Sequence, residues 1–453
     1  MMKNVKIIGA GLAGSEAALQ LARRGIRVTL VEMRPQVPTA VHKTDACAEL
    51  VCSNSLKSTK PESAAGMLKA ELAALGSFLY RVALETQVAA GGALAVDRDL
   101  FGQGVTRLVQ EQDLITLERR EAVSAEEEAR GFDALLLATG PLTSDALAES
   151  LRQLTGADHL AFYDAAAPIV MADSLDMERL FRQSRYEEGA GDYLNAPFSK
   201  DEYEAFIEEL LSAERVIAKD FETKDLFQAC QPIEEIARSG KDAPRFGPLK
   251  PVGLTDPRTG HRPWAALQLR AEDAYGGCYN LVGFQTNLTF PEQRRVFRMI
   301  PGLENAEFAR YGVMHRNTFI EAPKLLDPTL RLQGADALCS APVFVAGQLS
   351  GTEGYVEAIR SGLHAALGIA ALLQGKEPVP VPVDMAFGAL LDYATNPATV
   401  GYQPSHVNFG IMRPFEQRIR NKRDRYAAYA ARGGQALQGY VDRLRQEGLL
   451  EEA

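Results

Sequence analysis

The spacing of apolar residues at the start of the chain predicts a strand, a helix and a second strand. Residues 5–8 form a short apolar run, which is typical of a buried strand. Residues 13–24 place apolar side chains on one helical face, and a second apolar run over 28–31 ends at Glu32. A strand, a helix and a strand in this order predict a βαβ unit with two parallel strands.

The first turn of this unit reads GAGLAG, which matches the glycine fingerprint of dinucleotide-binding domains. The first glycine permits a tight turn, the second lets the backbone approach a pyrophosphate, and the third lets helix and strand pack closely. Glu32 follows Gly14 by 18 residues, close to the spacing of a carboxylate that binds ribose hydroxyls. An acid there favours FAD or NAD over NADP, and the alternative is a glycine-rich turn in an ordinary α/β domain. The predicted cofactor contacts are Gly9, Ala10, Gly11, Leu12, Ala13, Gly14 and Glu32.

Two later segments continue the pattern and complete one cofactor domain. Residues 132–140 form a buried strand that ends in Ala-Thr-Gly, and residues 343–357 form a strand followed by a glycine-rich turn. An apolar helix then extends to about residue 374. Both segments resemble the stretches beside the flavin in two-dinucleotide flavoproteins, so the predicted cofactor is FAD. The predicted contacts in the late turn are Gly347, Gly351, Thr352 and Gly354.

The pattern as a whole divides the chain into three parts. We predict a discontinuous FAD-binding domain with a Rossmann-like fold over residues 1–164 and 337–380. Residues 165–336 have no fingerprint of their own and are predicted to form an inserted α+β domain. Residues 381–453 follow a proline-rich linker and form a mainly helical tail. The predicted fold class is therefore α/β, of the two-dinucleotide flavoprotein type.

Composition narrows the possible functions. The chain has 453 residues, 46% hydrophobic and 24% charged, as in an ordinary globular protein. Its net charge of −10 argues against a generally basic surface, so any nucleic-acid site must be a local patch. Five cysteines without a C-x-x-C pair and six histidines without metal spacing favour reduced thiols and no metal site. The absence of a signal peptide and of an apolar run of about 18 residues predicts a cytoplasmic protein.

Two cysteines lie in segments that suit a reactive thiol. Cys52 lies in ELVCSNSLK, with three lysines nearby in sequence, and positive charge and exposure lower a thiol pKa. Cys230 lies in FQACQPIEE and leads into a basic stretch. The alternative for either residue is a small buried hydrophobic side chain. The other three cysteines are predicted to be structural, namely Cys47, Cys278 and Cys339.

The basic stretch after Cys230 suggests a nucleic-acid site. Residues 238–270 contain seven basic and two acidic residues, with Trp264 among the aromatic side chains. A basic groove with aromatic faces is typical of sites for unstacked nucleic acid, and the alternative is a loop with solvated charges. Arg245 and Lys250 are the predicted substrate contacts. A second basic cluster over 413–425 is predicted on a helix, where a solvated face is the simpler interpretation.

These residues lie in motifs that resemble the folate- and FAD-dependent tRNA uracil-5-methyltransferases, the TrmFO family. The resemblance runs from residue 5 to about residue 426, with small departures in loops at Val41 and Ala89. The motifs that carry it are GAGLAGSEAA, VEMRP, AELVCSNSL, AGGALAVDR, CQPIEEIA, RFGPLKPVGL, YNLVGFQT, IPGLENAEF, GVMHRNTF, GQLSGTEGYVEA and NFGIMRPF.

The resemblance implies formation of 5-methyluridine at position 54 in the T-arm of tRNA. It implies that 5,10-methylenetetrahydrofolate supplies the carbon and that NAD(P)H supplies electrons by way of FAD. Cys230 is assigned the attack on C6 of uracil, and Cys52 the protection of the methylene carried by the flavin, although these assignments could be exchanged. Tyr355 is implied as a stacking face near flavin and folate, and Arg316 and Asn317 as folate or substrate contacts.

Other functions remain open at the level of sequence. The same chemistry on a ribosomal RNA uridine is the nearest alternative. A folate-free flavin NAD(P)H oxidoreductase and a non-catalytic flavin-bound RNA-binding module are alternatives from other classes. A related FAD protein that modifies the wobble uridine with a partner GTPase is not expected, because that relative carries a long helical C-terminal extension.

Overall fold

The computed structural model of the chain describes most of its length. The described residues are 2–39, 41–156, 161–165, 167–186, 191–216, 231–272, 276–312, 314–399, 402, 404–417 and 419–451, with backbone alone for 161–165 and 314–317. The strands are β1 Asn4–Ile8, β2 Arg27–Glu32, β3 Ser55–Ser58, β4 Gln87–Val88, β5 Ala93–Val96, β6 Ile115–Arg119, β7 Ala134–Leu137, β8 Ala161–Ala165, β9 Ile169–Met171, β10 Phe181–Arg182, β11 Leu194–Phe198, β12 Ala265–Ala271, β13 Cys278–Leu281, β14 Phe308–Arg310, β15 Met314–Thr318 and β16 Val343–Val345. The α-helices are α1 Leu12–Arg23, α2 Ala64–Ala74, α3 Phe78–Glu85, α4 Arg98–Gln110, α5 Ala125–Ala129, α6 Asp145–Thr155, α7 Lys200–Ser212, α8 Ile233–Ser239, α9 Ala243–Phe246, α10 Phe290–Phe297, α11 Ala322–Leu325, α12 Tyr355–Leu373, α13 Ala386–Thr395 and α14 Lys422–Gln446.

A five-stranded parallel sheet forms the centre of the larger core, in the order β16-β7-β1-β2-β6. Val5 on β1 lies opposite Val28 on β2 and Ala134 on β7. The four residues of β7 are all buried, as expected for a parallel strand covered on both faces. β16 joins the sheet from the far end of the chain, beside β7. The predicted α/β class is confirmed.

A six-stranded antiparallel sheet organises a second core, in the order β10-β11-β12-β13-β9-β14. Aromatic side chains fill the space between this sheet and its helices. Phe206 on α7 lies 5.5 Å from Phe198 and 6.1 Å from Phe284, measured between ring centroids. The two sheets thus have separate hydrophobic cores. The predicted domain boundaries, 1–164 with 337–380, 165–336 and 381–453, stay a prediction, because residues 320–335 and 385–449 also contribute side chains to the larger core.

The apolar helix predicted to reach residue 374 is α12, and it is the central helix of the larger core. α12 packs along α1, and the Cβ of an alanine at Gly362 would lie 2.1 Å from the carbonyl oxygen of Ala13. Among the described residues, α12 alone has the length and hydropathy of a membrane span, and 89% of its most apolar window is buried. The expectation that no apolar stretch reaches that length was therefore wrong, because a fully enclosed core helix has the same composition.

Several boundaries differ from the predicted ones. The apolar spacing over residues 62–76 predicts one helix, but α2 ends at Ala74, and a further helix, α3, follows where Ser77 accepts a hydrogen bond from the Tyr80 N–H. The polar pattern of residues 35–61 predicts an irregular connection, but this segment contains β3, which pairs with β5. The second basic cluster is helical only from Lys422, since α14 begins there. These misses share a cause: short elements depend on caps and partners that periodicity does not reveal.

Candidate functional site

The glycine turn after β1, residues 9–14, has the shape of a phosphate-binding loop. A Cβ on Gly14 would lie 1.8 Å from the carbonyl oxygen of Gly9, and a Cβ on Gly9 would lie 2.5 Å from that of Ala138. Both positions therefore exclude a side chain for packing reasons. A Cβ on Gly11 would meet nothing within 4 Å. Gly11 is the N-cap of α1, so the open space beside it lies at a helix N-terminus, where backbone N–H groups can bind a pyrophosphate.

Glu32 lies at the end of β2, where the ribose carboxylate was predicted. One carboxylate oxygen accepts the Ala10 N–H at 2.9 Å, and the other accepts Arg34 Nε at 2.9 Å. Burial acts to raise the pKa of Glu32, but the hydrogen bonds and charge of Arg34 outweigh it and the pKa is lowered. The carboxylate is therefore ionised and fixed in orientation. Oε1 also accepts the Arg34 N–H at 3.1 Å, so Oε2 is the oxygen that keeps acceptor capacity for a ribose hydroxyl.

A cavity lies beside Glu32 at the carboxyl ends of β1, β2 and β7. Gly9, Glu32, Thr139 and Thr143 are among the residues that line it. Ligands of open parallel sheets bind at this edge. Apolar walls with a few polar groups suit the adenosine half of a dinucleotide. The cavity and the glycine turn together fit FAD.

The second predicted glycine turn, residues 347–354, follows β16 and contacts the first. The Gly347 N–H donates to Ser361 Oγ at 2.7 Å, and Thr352 Oγ1 donates to the carbonyl oxygen of Gly347 at 2.8 Å. A Cβ on Gly347 would lie 3.1 Å from the Cβ of Ala13, which belongs to the first turn of α1. The turn is thus rigid and lies against the phosphate loop.

Two glycines of the late turn face protein groups. The Tyr402 hydroxyl occupies the space beside Gly351, because a Cβ there would lie 1.6 Å from it. Gly354 packs against Glu357, whose carboxylate pairs with Lys57 Nζ at 3.2 Å. Because Gly351 and Gly354 have no side chain, Tyr402 and Glu357 can pack directly against them. The contact of these two glycines with the cofactor stays a prediction, and their backbone atoms would make it.

The segment that carries Cys52, residues 50–57, is attached to the start of α12. The N–H groups of Cys52 and Ser53 donate to Tyr355 Oη at 2.8 and 3.1 Å. Burial raises the pKa of Tyr355, so the phenol is neutral throughout the physiological range. Cys52 itself is half-buried. We call residues 50–57 the thiol loop.

Arginines from three different segments surround the thiol loop. Arg98, at the start of α4, forms an ion pair with Glu272 and donates to the Leu50 carbonyl oxygen at 2.7 Å. Arg270 on β12 donates to Asn54 Oδ1 at 2.8 Å and to Ser53 Oγ at 2.6 Å. These bonds fasten the loop to the antiparallel sheet.

Arg310 on β14 is the third arginine. Its Nη2 is buried without a hydrogen-bond partner among the described residues. Burial and nearby Arg98 lower the pKa of Arg310, whereas Cys52 and Tyr355 act in the opposite direction. Arg98 and Arg310 both interact electrostatically with Cys52. Sequence reasoning named the nearby lysines instead, and its AGGALAVDR motif contained Arg98 without indicating a role.

The remaining predicted site residues are distributed more widely. Cys230 lies outside the described residues. Arg316 and Asn317 lie on β15, opposite Tyr163 and Phe162 of β8, and their side chains also lie outside the description. No disulfide joins any of the described cysteines, which are Cys47, Cys52, Cys278 and Cys339.

The basic stretch over 238–270 is not a continuous groove. Arg270 is 5% exposed and serves the thiol loop, while Arg258 pairs with Asp256 at 2.8 Å. Arg245 pairs with Asp242 at 3.0 Å, and its guanidinium stacks 3.7 Å above the Trp264 ring. Among the described residues, Lys241, Lys250 and Arg262 have no ion pair, and neither has Arg270, which is buried. The predicted groove is thereby reduced to a smaller patch, because Arg270 is buried and acids pair with Arg238, Arg245 and Arg258.

Comparison with known proteins agrees with this geometry. The family model for glucose inhibited division protein A (GidA) matches residues 4–377. A protein from Geobacter sulfurreducens is 53% identical over 94% of this chain and 96% of its own length. One from Pelotomaculum thermopropionicum is 50% identical over 98% of this chain and 99% of its own. Both are named methylenetetrahydrofolate--tRNA-(uracil-5-)-methyltransferase TrmFO.

A solved structure shows the same fold. Aquifex aeolicus GidA, in its form I crystal, aligns with a TM-score of 0.73 at 18% identity, over 100% of this chain and 77% of that one. At that identity the likeness concerns the fold alone. The long alignments with relatives about half identical decide the family, and the chain belongs to the GidA family and, within it, to the TrmFO proteins.

Proposed function

We propose that this protein methylates C5 of the T-loop uridine of tRNA. The carbon comes from 5,10-methylenetetrahydrofolate, and the electrons come from NAD(P)H by way of bound FAD. The TrmFO relatives are named for folate-dependent methylation of uracil in tRNA. The T-loop position, the NAD(P)H reductant and a cytoplasmic location belong to the proposal.

One observation carries this proposal: a single rigid turn joins the phosphate loop to the thiol loop. At one end, Gly347 packs against Ala13 beside the phosphate loop. At the other end, Tyr355 accepts hydrogen bonds from the N–H groups of Cys52 and Ser53. A dinucleotide held by its pyrophosphate at residues 9–14 and extended along this turn ends beside a thiol. That arrangement is what flavin-dependent chemistry on a thiol-activated base needs.

The chain offers complementary contacts for each part of FAD. Residues 9–14 would hold the pyrophosphate, Glu32 the ribose, and residues 347–354 the flavin end. Bound FAD would supply the redox and one-carbon chemistry of the reaction. Everything else must come from side chains that bind, orient and activate the uridine.

Thiol addition explains why the reaction needs cysteine. C5 of uracil is a poor nucleophile, and a thiolate that bonds to C6 moves the ring electrons toward C5 and O4. C5 can then bond to an electrophilic methylene. Loss of the C5 proton and cleavage of the bond between the methylene and its carrier leave an exocyclic methylene, with sulfur still bonded to C6. Addition of a hydride to this methylene forms the methyl group as the S–C6 bond breaks, the C5–C6 double bond returns and the thiolate is released. We assign the attack to Cys230 and a protective role to Cys52, with the exchange of these roles as the alternative.

The surroundings of Cys52 favour negative charge. Arg98 is held by Glu272 and the Leu50 carbonyl, and Arg310 brings a buried guanidinium nitrogen without a partner among the described residues. Fixed cations beside a thiol stabilise its thiolate. They also stabilise the charge that develops on a uracil oxygen when C6 is attacked. The uridine must leave its stack to reach this position.

The test is a reaction with purified protein, a T-arm RNA hairpin, methylenetetrahydrofolate and NADPH. We expect 5-methyluridine at the T-loop position and a yellow protein. The Cys230→Ala variant should stay yellow but lose methylation and any covalent RNA adduct, while Cys47→Ala, a buried cysteine, serves as control. Product on ribosomal RNA alone would contradict the tRNA assignment. NADPH oxidation that ignores both folate and RNA would identify a plain flavin oxidoreductase.

A further inference from the structure

We propose that Tyr186 and Lys250 form a stacking platform for an unpaired nucleotide of the RNA. Neither residue belongs to the thiol loop that carries Cys52. The inference rests on the proposed function and names a second contact surface for the same RNA. We call the two residues the Tyr186 platform. None of the predicted catalytic or cofactor residues belongs to it.

Tyr186 combines two features that are unusual for an aromatic side chain. It is 71% exposed, and its backbone has φ of 67°, in the left-handed region. Burying aromatic area is favourable, and a left-handed conformation is costly for a residue with a bulky side chain. Such backbone strain persists only where neighbouring groups enforce it, and it is concentrated at functional positions.

Hydrogen bonds at positions 183, 185 and 186 enforce this conformation. The Tyr186 N–H donates to the Gly253 carbonyl oxygen at 3.2 Å. Arg185 Nη2 donates to the Lys250 carbonyl oxygen at 2.6 Å, and the Thr255 N–H donates to the Gln183 side chain at 2.8 Å. The turn that carries Tyr186 is therefore joined to residues 250–255 before any ligand arrives.

Gly253 lets the ring lie flat against the backbone. A Cβ on Gly253 would come within 2.9 Å of ring atoms Cδ1 and Cε1 of Tyr186. Gly253 also has φ of 86°, which disfavours any other residue. With one part of the ring resting on Gly253 and 71% of the residue exposed, an open face is available for a planar group.

The charge around the ring selects a nucleotide as that group. Lys250 Nζ lies 6.0 Å from the centre of the Tyr186 ring. Lys250 has no ion pair among the described residues. An aromatic face beside a cation that has no carboxylate partner is the pattern that binds a base by stacking and its phosphate by charge.

The platform is connected to the thiol loop through the β4–β5 turn. Tyr193 Oη donates to the Ala90 carbonyl oxygen at 3.2 Å, and Gly91 packs against Ser184. From that turn β5 runs to Val96, whose N–H donates to the Asn54 carbonyl oxygen at 3.0 Å. Six residues of extended chain span on the order of 15–20 Å. One short strand therefore links the segment that supports the platform to the thiol loop.

The test compares RNA affinity between variants of the full-length, FAD-loaded protein. The probe is a T-arm RNA hairpin, and its Kd is measured at several salt concentrations. Tyr186→Leu should raise Kd about tenfold or more, because base–aromatic stacking is lost, while Tyr186→Phe should keep wild-type Kd. Lys250→Gln should lower the slope of log Kd against log salt by about one. Phe290→Leu, which changes an aromatic residue that is 49% exposed on the α10 side, should leave Kd unchanged.

The outcomes separate this inference from the proposed function. If wild-type protein methylates the hairpin and Tyr186→Leu binds it with wild-type Kd, the platform is refuted and the proposed function stands. If wild-type protein neither binds nor methylates the hairpin, the proposed function itself fails. Sedimentation of Tyr186→Leu provides a third outcome, since altered self-association with unchanged Kd for RNA would assign the ring to a protein contact instead. NADPH oxidation without RNA should match wild type and show that the variant is folded.

Discussion

The phosphate loop and the thiol loop lie at the two ends of one turn, yet they are built in different ways. The phosphate loop, residues 9–14, is specified by neighbours in sequence: Gly14 packs on Gly9, and Ala10 binds Glu32. The thiol loop, residues 50–57, is held by residues from distant parts of the chain. Arg270 and Glu272 come from the antiparallel sheet, more than 200 positions away.

The difference explains where each region should be sensitive to mutation. In the phosphate loop the constraint is steric and local, so a single added methyl group should matter. In the thiol loop the constraint is electrostatic and shared between the two cores. Loss of one partner there leaves another charge buried and unpaired, which is costly.

The largest effect is expected for Gly14→Ala. Its new Cβ would lie 1.8 Å from the Gly9 carbonyl oxygen, and neither backbone can move without disturbing β1 and α1. We expect the free energy of unfolding to fall by about 5 kcal/mol, or the protein not to accumulate in folded form. Urea denaturation followed by circular dichroism measures this.

Gly11→Ala is the matched control for that prediction. A Cβ on Gly11 meets no protein atom within 4 Å, so the FAD-free protein should keep wild-type stability. Its FAD affinity should nevertheless fall, because the methyl group occupies the approach of the pyrophosphate. Equal destabilisation by the two substitutions would contradict the steric account of the loop.

The second effect concerns the ion pair between Arg98 and Glu272. Their side chains are only 14% and 7% exposed, so Glu272→Ala leaves the Arg98 guanidinium buried without its carboxylate. We expect a loss of about 3–5 kcal/mol in the free energy of unfolding, again measured by urea denaturation. The double variant Arg98→Met with Glu272→Leu should recover most of that loss. A double variant as unstable as Glu272→Ala would show that the charges are not the cause.

The same contrast sets how much the sequence reveals. The phosphate loop, its helix and Glu32 were predictable because most of their constraints lie within about 30 residues and leave a glycine or acid at a fixed spacing; the contact of Gly9 with Ala138 is the distant exception. The late turn was predictable from its own run of glycines, although the sequence did not show that Ala13 and Tyr402 pack against it. Arg98, Arg270 and Arg310 were not, since their convergence on the thiol loop depends on how two sheets pack. The basic stretch was overestimated because sequence does not show that Arg258 pairs with Asp256.

The segment after the other predicted thiol gives a pH test. Glu234 on α8 lies four residues after Cys230, is fully buried, and accepts hydrogen bonds from the Asn287 N–H and Thr286 Oγ1. Burial raises its pKa to about 7, above the 4.5 of an unperturbed glutamate. Because the native state binds this proton more tightly than the unfolded state, protonation of Glu234 stabilises the fold. This contribution is complete below pH 4.5 and is lost as the pH rises to 7.

Glu234→Gln removes this titration. The difference in the free energy of unfolding between wild type and variant should change by about 3 kcal/mol between pH 4.5 and 7.5, in favour of the variant at high pH. Urea denaturation across this pH range measures it, and subtraction cancels the other buried carboxyls. If the difference in the free energy of unfolding does not depend on pH, Glu234 has an ordinary pKa and is a charged group in the folded protein.

The smallest effect is expected where the two regions meet, at Tyr355. Tyr355→Phe removes the oxygen that accepts the N–H groups of Cys52 and Ser53, at a cost of about 1–3 kcal/mol, and keeps the ring. Because the loss falls on the thiol loop alone, FAD content should stay at the wild-type level while alkylation of Cys52 by iodoacetamide, followed by peptide mass spectrometry, becomes faster. Tyr402→Phe is the control: its hydroxyl lies against Gly351 in the same turn and binds the Ser350 carbonyl oxygen at 3.4 Å. If Tyr355→Phe releases FAD with Cys52 alkylation unchanged, the turn serves the cofactor end alone, and the thiol loop is held only by its arginines.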